Sequence, residues 1–203
     1  MKFKSEEERL ARIAEVRYSI ISSALCEFSR SGYSNTSIES IAAGAGISKG
    51  SVFNYFSSKE ILRLESALYI VKAHCDAMRV AVLSAADPND RLEIFYAAND
   101  RFVAENLPGM YFLGSCLHSS DDQLKGAIAS QYEILFQLFM DQVMVPGREK
   151  GYFTIPDIHL AGRMCMSILI NTSSARNAEG QALMEPQWVA DFVRRALSWE
   201  NSR

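Results

Sequence analysis

Residues 48–55 place hydroxyl, amide and ammonium groups on what would be the outer face of a short predicted helix. Such side chains donate and accept hydrogen bonds, and one carries a positive charge, so together they suit base edges and phosphate oxygens. A helix of this size fits the major groove of DNA and contacts bases with its N-terminal residues. The residues concerned are Ser48, Lys49, Gly50, Ser51, Asn54 and Tyr55. The chemistry that this pattern predicts is recognition of double-stranded DNA.

The residues before this face predict a second short helix and a tight turn. Thr36 is expected to cap the helix that begins at Ser37, and Glu39 would complete a capping box. Gly46 lies in the turn, where a positive φ costs little only for glycine. Ser48 is expected to cap the following helix. This arrangement predicts a helix-turn-helix over residues 36–56.

Ser37 and Lys59 are further candidates for contact with phosphate. Each lies at the beginning of a predicted helix, where unpaired amide groups and the helix dipole favour an anion. On spacing alone, an ordinary helical hairpin inside an all-α core explains residues 36–56 equally well.

The spacing of apolar residues predicts helices nearly throughout the chain, and therefore an all-α fold. The prolines fall between the periodic stretches. A break is expected at Leu107-Pro108-Gly109, before a short apolar segment from Met110 to His118, and a loop from Pro146 to Pro156. The predicted helices are Glu6–Ser31, Ser37–Gly44, Lys49–Phe56, Lys59–Ala85, Asn89–Asn106, Ser120–Val145, Asp157–Asn177 and Pro186–Trp199.

The charge distribution permits binding of nucleic acid but does not require it. The net charge is −3, yet residues 1–59 carry eight Lys or Arg and six Glu, whereas the rest of the chain is acidic. No run of about 18 uncharged apolar residues predicts a membrane span, and the N-terminus lacks the apolar core of a signal peptide. These features predict a cytoplasmic protein.

The sequence offers little support for an enzyme or a metal site. It contains no nucleophile with a base at a recognisable spacing and no glycine-rich phosphate loop after a strand. The four cysteines are widely spaced in apolar runs and are expected to be buried free thiols. Cys116 and His118 are neighbours, but two potential ligands do not make a metal site. We therefore expect no catalytic residue, no metal and no cofactor.

The segment from Ile20 to Leu62 resembles the N-terminal domain of the TetR family of bacterial regulators. The matching parts are Ala24…Phe28…Gly32-Tyr33, Thr36-Ser37-Ile38…Ile41-Ala42, Ala45 to Phe56, and Ser58-Lys59-Glu60…Leu62. Two features depart from the family pattern. Gly44 stands where a better helix former is usual, and Glu6-Glu7-Glu8 replaces a basic arm, although Lys2 and Lys4 remain.

The resemblance implies a DNA-binding domain over residues 1–58 and a helical effector-binding and dimerisation domain over residues 59–203. It further implies a homodimer that binds a near-palindromic operator, most often as a repressor, and that a small hydrophobic or amphipathic effector releases. An activator or a ligand-independent regulator of the same fold is the alternative.

The aromatic stripe of the helix from Asn89, with residues of facing segments, could line an effector pocket. These residues could equally fill an ordinary core. The candidates are Phe95, Tyr96, Asn99, Phe102, Met110, Phe112, Cys116, His118, Tyr132 and Phe136.

Apolar stripes on the last two helices would leave an adhesive surface on a monomer unless a second subunit covers them. The resemblance implies that these helices pair into the dimer interface, whereas packing within one chain is the alternative. The candidates are Ala161, Cys165, Ile168, Leu169, Trp188, Phe192 and Ala196.

Overall fold

A computed structural model of the protein describes residues 5–177 and 179–198. Within these residues the predicted all-α fold is confirmed, since the only β pairing is an isolated bridge between Arg176 and Ala182. The helices are α1 (Glu6–Ser31), α2 (Ile38–Gly44), α3 (Lys49–Phe53), α4 (Lys59–Leu83), α5 (Pro88–Glu105), α6 (Leu107–Leu117), α7 (Asp122–Phe139), α8 (Val145–Glu149), α9 (Ile158–Ser174) and α10 (Pro186–Leu197). No helix among the described residues is both long and apolar enough to cross a membrane.

Several helix boundaries among the described residues differ from the sequence prediction. Helix α3 ends at Phe53 rather than Phe56. The expected break at Pro108 is the first turn of α6, a position where proline fits because its nitrogen needs no hydrogen-bond partner. Trp199, the predicted end of α10, lies outside the described residues.

The structure also differs from the predicted helix that ends at Val145 and from the predicted loop between Pro146 and Pro156. α7 ends at Phe139 and continues into a π-helical turn over Met140–Met144, and α8 follows directly with Pro146 in its first turn. Proline lacks the amide hydrogen that a helix interior uses, so it is tolerated here only because a new helix begins. Periodicity could not reveal this change of pitch.

The chain forms two compact units. The first comprises residues up to Ile70 together with Pro108–Lys125, and the second comprises Val71–Leu107 and the residues from Gly126 onward. This division describes compactness; the predicted functional boundary after residue 58 stays a prediction.

The core of the first unit is built on α1. Ser5 caps this helix by accepting a hydrogen bond from the amide of Glu8 at 3.1 Å, and Gly32 ends it with a φ of 76°. Its buried face meets the short helices, and Phe28 stacks on Phe112 of α6 with ring centroids 5.1 Å apart. The buried core includes Ile20, Ala24, Phe28, Ile41, Val52, Phe56, Leu62, Phe112 and Cys116.

The second unit has its own apolar core, to which α5, α7, α9 and α10 contribute. Phe95 and Phe139 lie with ring centroids 4.5 Å apart at its centre. The hydroxyl of Tyr96 donates to the carbonyl oxygen of Cys165 at 3.1 Å, which satisfies a phenol buried among apolar side chains.

The cysteines only partly match the expectation of buried free thiols. Cys116 and Cys165 are buried and Cys75 is half-buried, but Cys26 is exposed, because it lies on the outer side of α1. Burial raises the pKa of Cys165 to about 12, so this thiol stays protonated and chemically inert near neutral pH.

Candidate nucleic-acid interface

Helices α2 and α3 form the predicted helix-turn-helix. Gly46 adopts a φ of 68° in the turn between them, as the sequence predicted. The amide of Ile47 donates to the carbonyl oxygen of Ala42 at 3.0 Å, which closes the turn. Ser48 caps α3 by accepting a hydrogen bond from the amide of Ser51 at 3.1 Å. The two helices are therefore fixed by local hydrogen bonds.

The predicted cap of α2 was wrong by one residue. Ser37, not Thr36, accepts the amide of Ser40, at 3.0 Å. Thr36 is buried, and its hydroxyl lies 2.8 Å from the carbonyl oxygen of Gly32 and 3.1 Å from that of Glu27. Threonine and serine are both good caps, so the sequence could not show which hydroxyl faces the amide. Glu39 accordingly forms no capping box with Thr36.

The outer face of α3 is accessible. Lys49, Gly50 and Asn54 are exposed, and Ser51 and Tyr55 are half-buried. Ser48 is exposed as well, with its hydroxyl 2.8 Å from that of Ser51. The structure thus brings six of the eight predicted DNA contacts onto one short segment. Phe53, which the sequence interpretation omitted, also belongs to this helix and is 45% exposed.

Glu39 of α2 forms an ion pair with Lys49, the first residue of α3. The hydrogen bond from Lys49 lowers the pKa of the Glu39 carboxyl group below its usual range. The sequence interpretation did not foresee this pair, since the two residues are ten positions apart and belong to different helices.

Lys59, the other cationic candidate, lies beside Tyr33. Its ammonium group is 4.4 Å from the centroid of that ring and 3.5 Å from the carbonyl oxygen of Ser34. Ser37, the remaining candidate, is exposed at the beginning of α2. Lys2 and Lys4 of the N-terminal arm lie outside the described residues.

Gly44 is the point at which α1 approaches α2. A Cβ atom at this position would lie 2.3 Å from Oγ of Ser23, whose hydroxyl donates to the carbonyl oxygen of Ile41 at 2.8 Å. Hence the glycine that departs from the family pattern has a packing reason in this chain.

The candidate effector residues fall into both compact units. Met110, Phe112, Cys116 and His118 belong to the first, where Phe112 and Cys116 are core residues and His118 is exposed. The other six belong to the second, where five of them, all but Tyr132, are buried: Phe95, Tyr96, Asn99, Phe102 and Phe136.

Within the second unit, Tyr96 and Asn99 line a cavity with a volume of about 10 Å³. That volume holds about one water molecule, so an effector at this place would have to push side chains apart.

A buried hydrogen-bonded group distinguishes the second unit. Nε2 of His74 lies 3.0 Å from Oδ1 of Asn99, and its Nδ1 lies 3.4 Å from the hydroxyl of Tyr132. Burial lowers the pKa of His74 to about 4, so the imidazole is neutral near pH 7. A neutral ring must donate from Nε2 to the amide oxygen and accept at Nδ1. His74 is a residue that the sequence interpretation did not select.

The expected dimer residues are only partly at the surface. Ala161, Cys165 and Leu169 were placed wrongly, because they are buried in the core of their own unit. Trp188 and Phe192 are 61% and 55% exposed, and Ala196 is exposed as well, whereas Ile168 is half-buried. The apolar side chains that α9 does expose are Leu160, Met164 and Ile170. A helix presents two apolar edges, and spacing alone did not show which edge packs inward.

Comparison with known proteins agrees with this architecture. Residues 20–65 match the family model described as bacterial regulatory proteins, tetR family. The TetR family transcriptional regulator PfmR from Thermus thermophilus is 25% identical, with 91% of this chain and 99% of that chain covered and a TM-score of 0.72. No curated protein matches the sequence.

Two solved structures named FadR share the fold over almost the whole chain. The fatty acid degradation regulator FadR from Bacillus halodurans is 21% identical, with 99% of both chains covered and a TM-score of 0.77. FadR from Bacillus subtilis, in complex with stearoyl-CoA, is 18% identical, with 89% of this chain and 97% of that chain covered and a TM-score of 0.75.

An all-α chain with an exposed polar helix-turn-helix has the architecture of DNA-binding transcriptional regulators. Residues 20–65 match the TetR family of bacterial regulatory proteins, and the chain as a whole shares the fold of solved TetR-family regulators.

Proposed function

We propose that the protein is a ligand-responsive repressor that binds a near-palindromic operator as a homodimer and is released by a small hydrophobic or amphipathic effector. The observation that carries the proposal is the accessible face of α3, hereafter the recognition helix. Its exposed residues offer one positive charge, hydroxyl and amide groups, and one aromatic ring within a single short segment. Such a set can contact phosphates, base edges and the methyl group of thymine.

Gly50 supports close approach of the recognition helix to DNA. A Cβ atom at Gly50 would meet only Oγ of Ser48, at 3.9 Å, so nothing within the chain requires a glycine there. Its φ is not positive either. The absence of a side chain would instead matter to a partner that touches the backbone.

DNA binding is tested by selection from random sequences, which requires no assumption about the operator. Wild-type protein would be used to select sequences from a random double-stranded DNA library, and affinity for the enriched sequence would be measured at two salt concentrations. We expect an enriched inverted repeat, with an affinity that falls as salt rises because cations on the protein displace counterions from phosphate. Lys49→Ala and Tyr55→Ala should lose most of the specific affinity, and an unchanged affinity in both variants would contradict the proposed surface.

Release by an effector is tested by binding of small molecules to the protein. The bound stearoyl-CoA of the Bacillus subtilis FadR structure makes long-chain acyl-CoA a rational first probe. A true effector should raise the midpoint of thermal unfolding and weaken binding to the selected DNA at the same concentration, because it stabilises the conformation that binds DNA less well. A compound that stabilises the protein but leaves DNA affinity unchanged is not an effector.

A homodimer requires an apolar surface on each subunit. Trp188 and Phe192 on α10 stack with ring centroids 6.0 Å apart, and both rings are largely exposed. An exposed aromatic pair is typical of an interface between proteins, and α9 of the same unit also exposes apolar side chains. Two-fold pairing of such a surface would also match the symmetry of a palindromic operator.

A further inference from the structure

Arg17 of α1 joins the end of the recognition helix to α4. Its Nη1 donates a hydrogen bond to the carbonyl oxygen of Tyr55 at 3.0 Å, and its Nη2 forms an ion pair with Glu65. The centre of its guanidinium group lies 4.5 Å from the centroid of the Phe56 ring. One side chain thus contacts the segment after α3 in two ways and anchors itself to α4 in a third.

The recognition helix needs such support because it is very short. It has five residues, Lys49 to Phe53, and a helix of that length is not stable by itself. Val52 and Phe56 bury its inner face. Arg17 supplies a hydrogen-bond partner to the carbonyl group of Tyr55, two residues beyond the C-terminal end of α3.

We infer that Arg17 is a positioning residue for DNA recognition. It fixes the segment that carries Asn54 and Tyr55, two of the proposed DNA contacts, without itself touching DNA. Its two terminal nitrogens already bind within the protein, and its side chain is only 35% exposed. This inference rests on the proposed function, because it assigns a role to Arg17 in that same interface.

The chemistry of arginine suits this role better than that of lysine. The planar guanidinium group directs its donors along fixed and divergent lines, so it can bind a carbonyl oxygen and a carboxylate while its face packs on a ring. A lysine ammonium has one nitrogen, and it cannot reach both acceptors and cover the ring in the same way. Arg17→Lys should therefore keep the charge and lose much of the positioning.

Arg17→Gln is the principal test, and Arg12→Gln is its matched control. Arg12 lies on the same helix and is exposed, and it pairs with Glu15 rather than with the recognition helix. Both substitutions remove one positive charge. Any effect of net charge on DNA affinity is therefore shared, and the difference between the two variants reports the contacts of Arg17 with Tyr55, Phe56 and Glu65.

Amide hydrogen exchange tests the positioning without DNA. The amides of Tyr55 and Phe56 both donate to the carbonyl oxygen of Val52, at 3.0 Å. We expect Arg17→Gln to speed exchange in a peptide covering residues 51–58 and to leave exchange around Ala24 in α1 unchanged. Arg12→Gln should leave both peptides as in the wild type. Equal exchange in residues 51–58 for the two variants would overturn the inference.

DNA binding by full-length protein supplies the second readout. The probes are the sequence selected by the wild type and a scrambled duplex of equal length. We expect Arg17→Gln to lower the ratio of specific to non-specific affinity about tenfold relative to Arg12→Gln, as for the loss of one good base contact. The dependence of affinity on salt should be the same in both variants, since neither loses a phosphate contact.

Each of the remaining outcomes tests either the role of Arg17 or the proposed function. The slope of log affinity against log salt concentration reports the number of counterions released. If this slope falls by about one more in Arg17→Gln than in Arg12→Gln, Arg17 contacts a phosphate and the inference is overturned. If Arg17→Gln does not fold, Arg17→Lys and Glu65→Gln replace it, and full retention of the specific ratio in both overturns the inference. A wild-type protein that enriches no sequence overturns the proposed function itself, whereas selective wild-type binding with no effect at Arg17 overturns only this inference.

Discussion

The ammonium group of Lys49 is paired with the carboxylate of Glu39, so the first residue of the recognition helix meets a negative charge inside its own domain. Both side chains are more than half exposed, and the pair therefore adds little to stability. On the proposed DNA-binding surface this pair should affect binding, because the carboxylate repels phosphate and must release Lys49 before Lys49 can contact DNA.

Replacing Glu39 should strengthen binding to DNA. We expect Glu39→Gln to raise affinity for both the selected and the scrambled duplex a few-fold at low salt, because it removes one repelling charge and frees Lys49. Fluorescence anisotropy with labelled duplexes would measure the change. Glu15→Gln, which removes an exposed carboxylate from α1, is the control for net charge, and an equal gain in that variant would show that the pair with Lys49 has no special effect.

The effect of Gly44→Ala on the free energy of unfolding should depend on whether residue 23 carries a hydroxyl group. Gly44→Ala alone should destabilise the protein by about 1–2 kcal/mol, because the new methyl group displaces Oγ of Ser23 from the carbonyl oxygen of Ile41.

In a Ser23→Ala background that clash with the hydroxyl is removed, and Gly44→Ala should cost nothing or stabilise by up to about 1 kcal/mol through helix propensity. Denaturant unfolding of the wild type, both single variants and the double variant would measure the coupling. Additive effects of the two substitutions would contradict close approach at this position.

His74 should make stability depend on pH in a defined range. Its pKa is lowered from 6.5 to about 4 in the folded protein, so the unfolded chain binds the proton more readily. The neutral ring therefore contributes fully to the free energy of unfolding above pH 6.5. About 3 kcal/mol of this contribution is lost as the pH falls toward 4.

Urea unfolding at several pH values would measure this contribution. His74→Gln should flatten the decline in stability between pH 6.5 and 4 relative to the wild type, whatever its effect at neutral pH. His159→Gln removes an exposed histidine and serves as the control. The same decline in His74→Gln as in the wild type would contradict the assignment.

A charge placed among the exposed aromatic rings of α10 should disrupt self-association. We expect Trp188→Glu to shift the protein from dimer to monomer in sedimentation velocity at micromolar concentration, because a buried unpaired carboxylate is costly at an interface. Val80→Glu, at an exposed apolar position of α4, is the control. A wild-type monomer under the same conditions would contradict the proposed interface.

The local features of the candidate site were largely predictable from the sequence. Gly46 needs a positive φ and Ser48 needs a cap position, and both requirements depend on residues next to each other in the chain. These requirements predicted two helices and a tight turn, while the resemblance to the TetR family favoured a helix-turn-helix over an ordinary helical hairpin. Thr36 shows the limit of this approach, because two adjacent hydroxyl residues are equally good caps and only packing against α1 decides between them.

Features that depend on distant parts of the chain were not predictable. Glu39 meets Lys49, and Arg17 meets Tyr55, through the crossing of helices that spacing does not specify. Pro108 indicated a break, whereas it lies in the first turn of α6. The outer and inner edges of α9 were assigned the wrong way round at Ala161, Cys165 and Leu169, because apolar residues occupy both edges of this helix.

The contact between Phe28 and Phe112 has a consequence for protein engineering. A fragment cut after α3, or a chimera that carries only the first seventy residues onto another regulator, would leave the inner side of α1 without the ring that covers it. Such a product should aggregate or unfold more readily than one that also carries residues 108–125. The compact unit that carries the proposed recognition helix is therefore discontinuous in sequence, and a design that transfers this unit has to preserve both pieces.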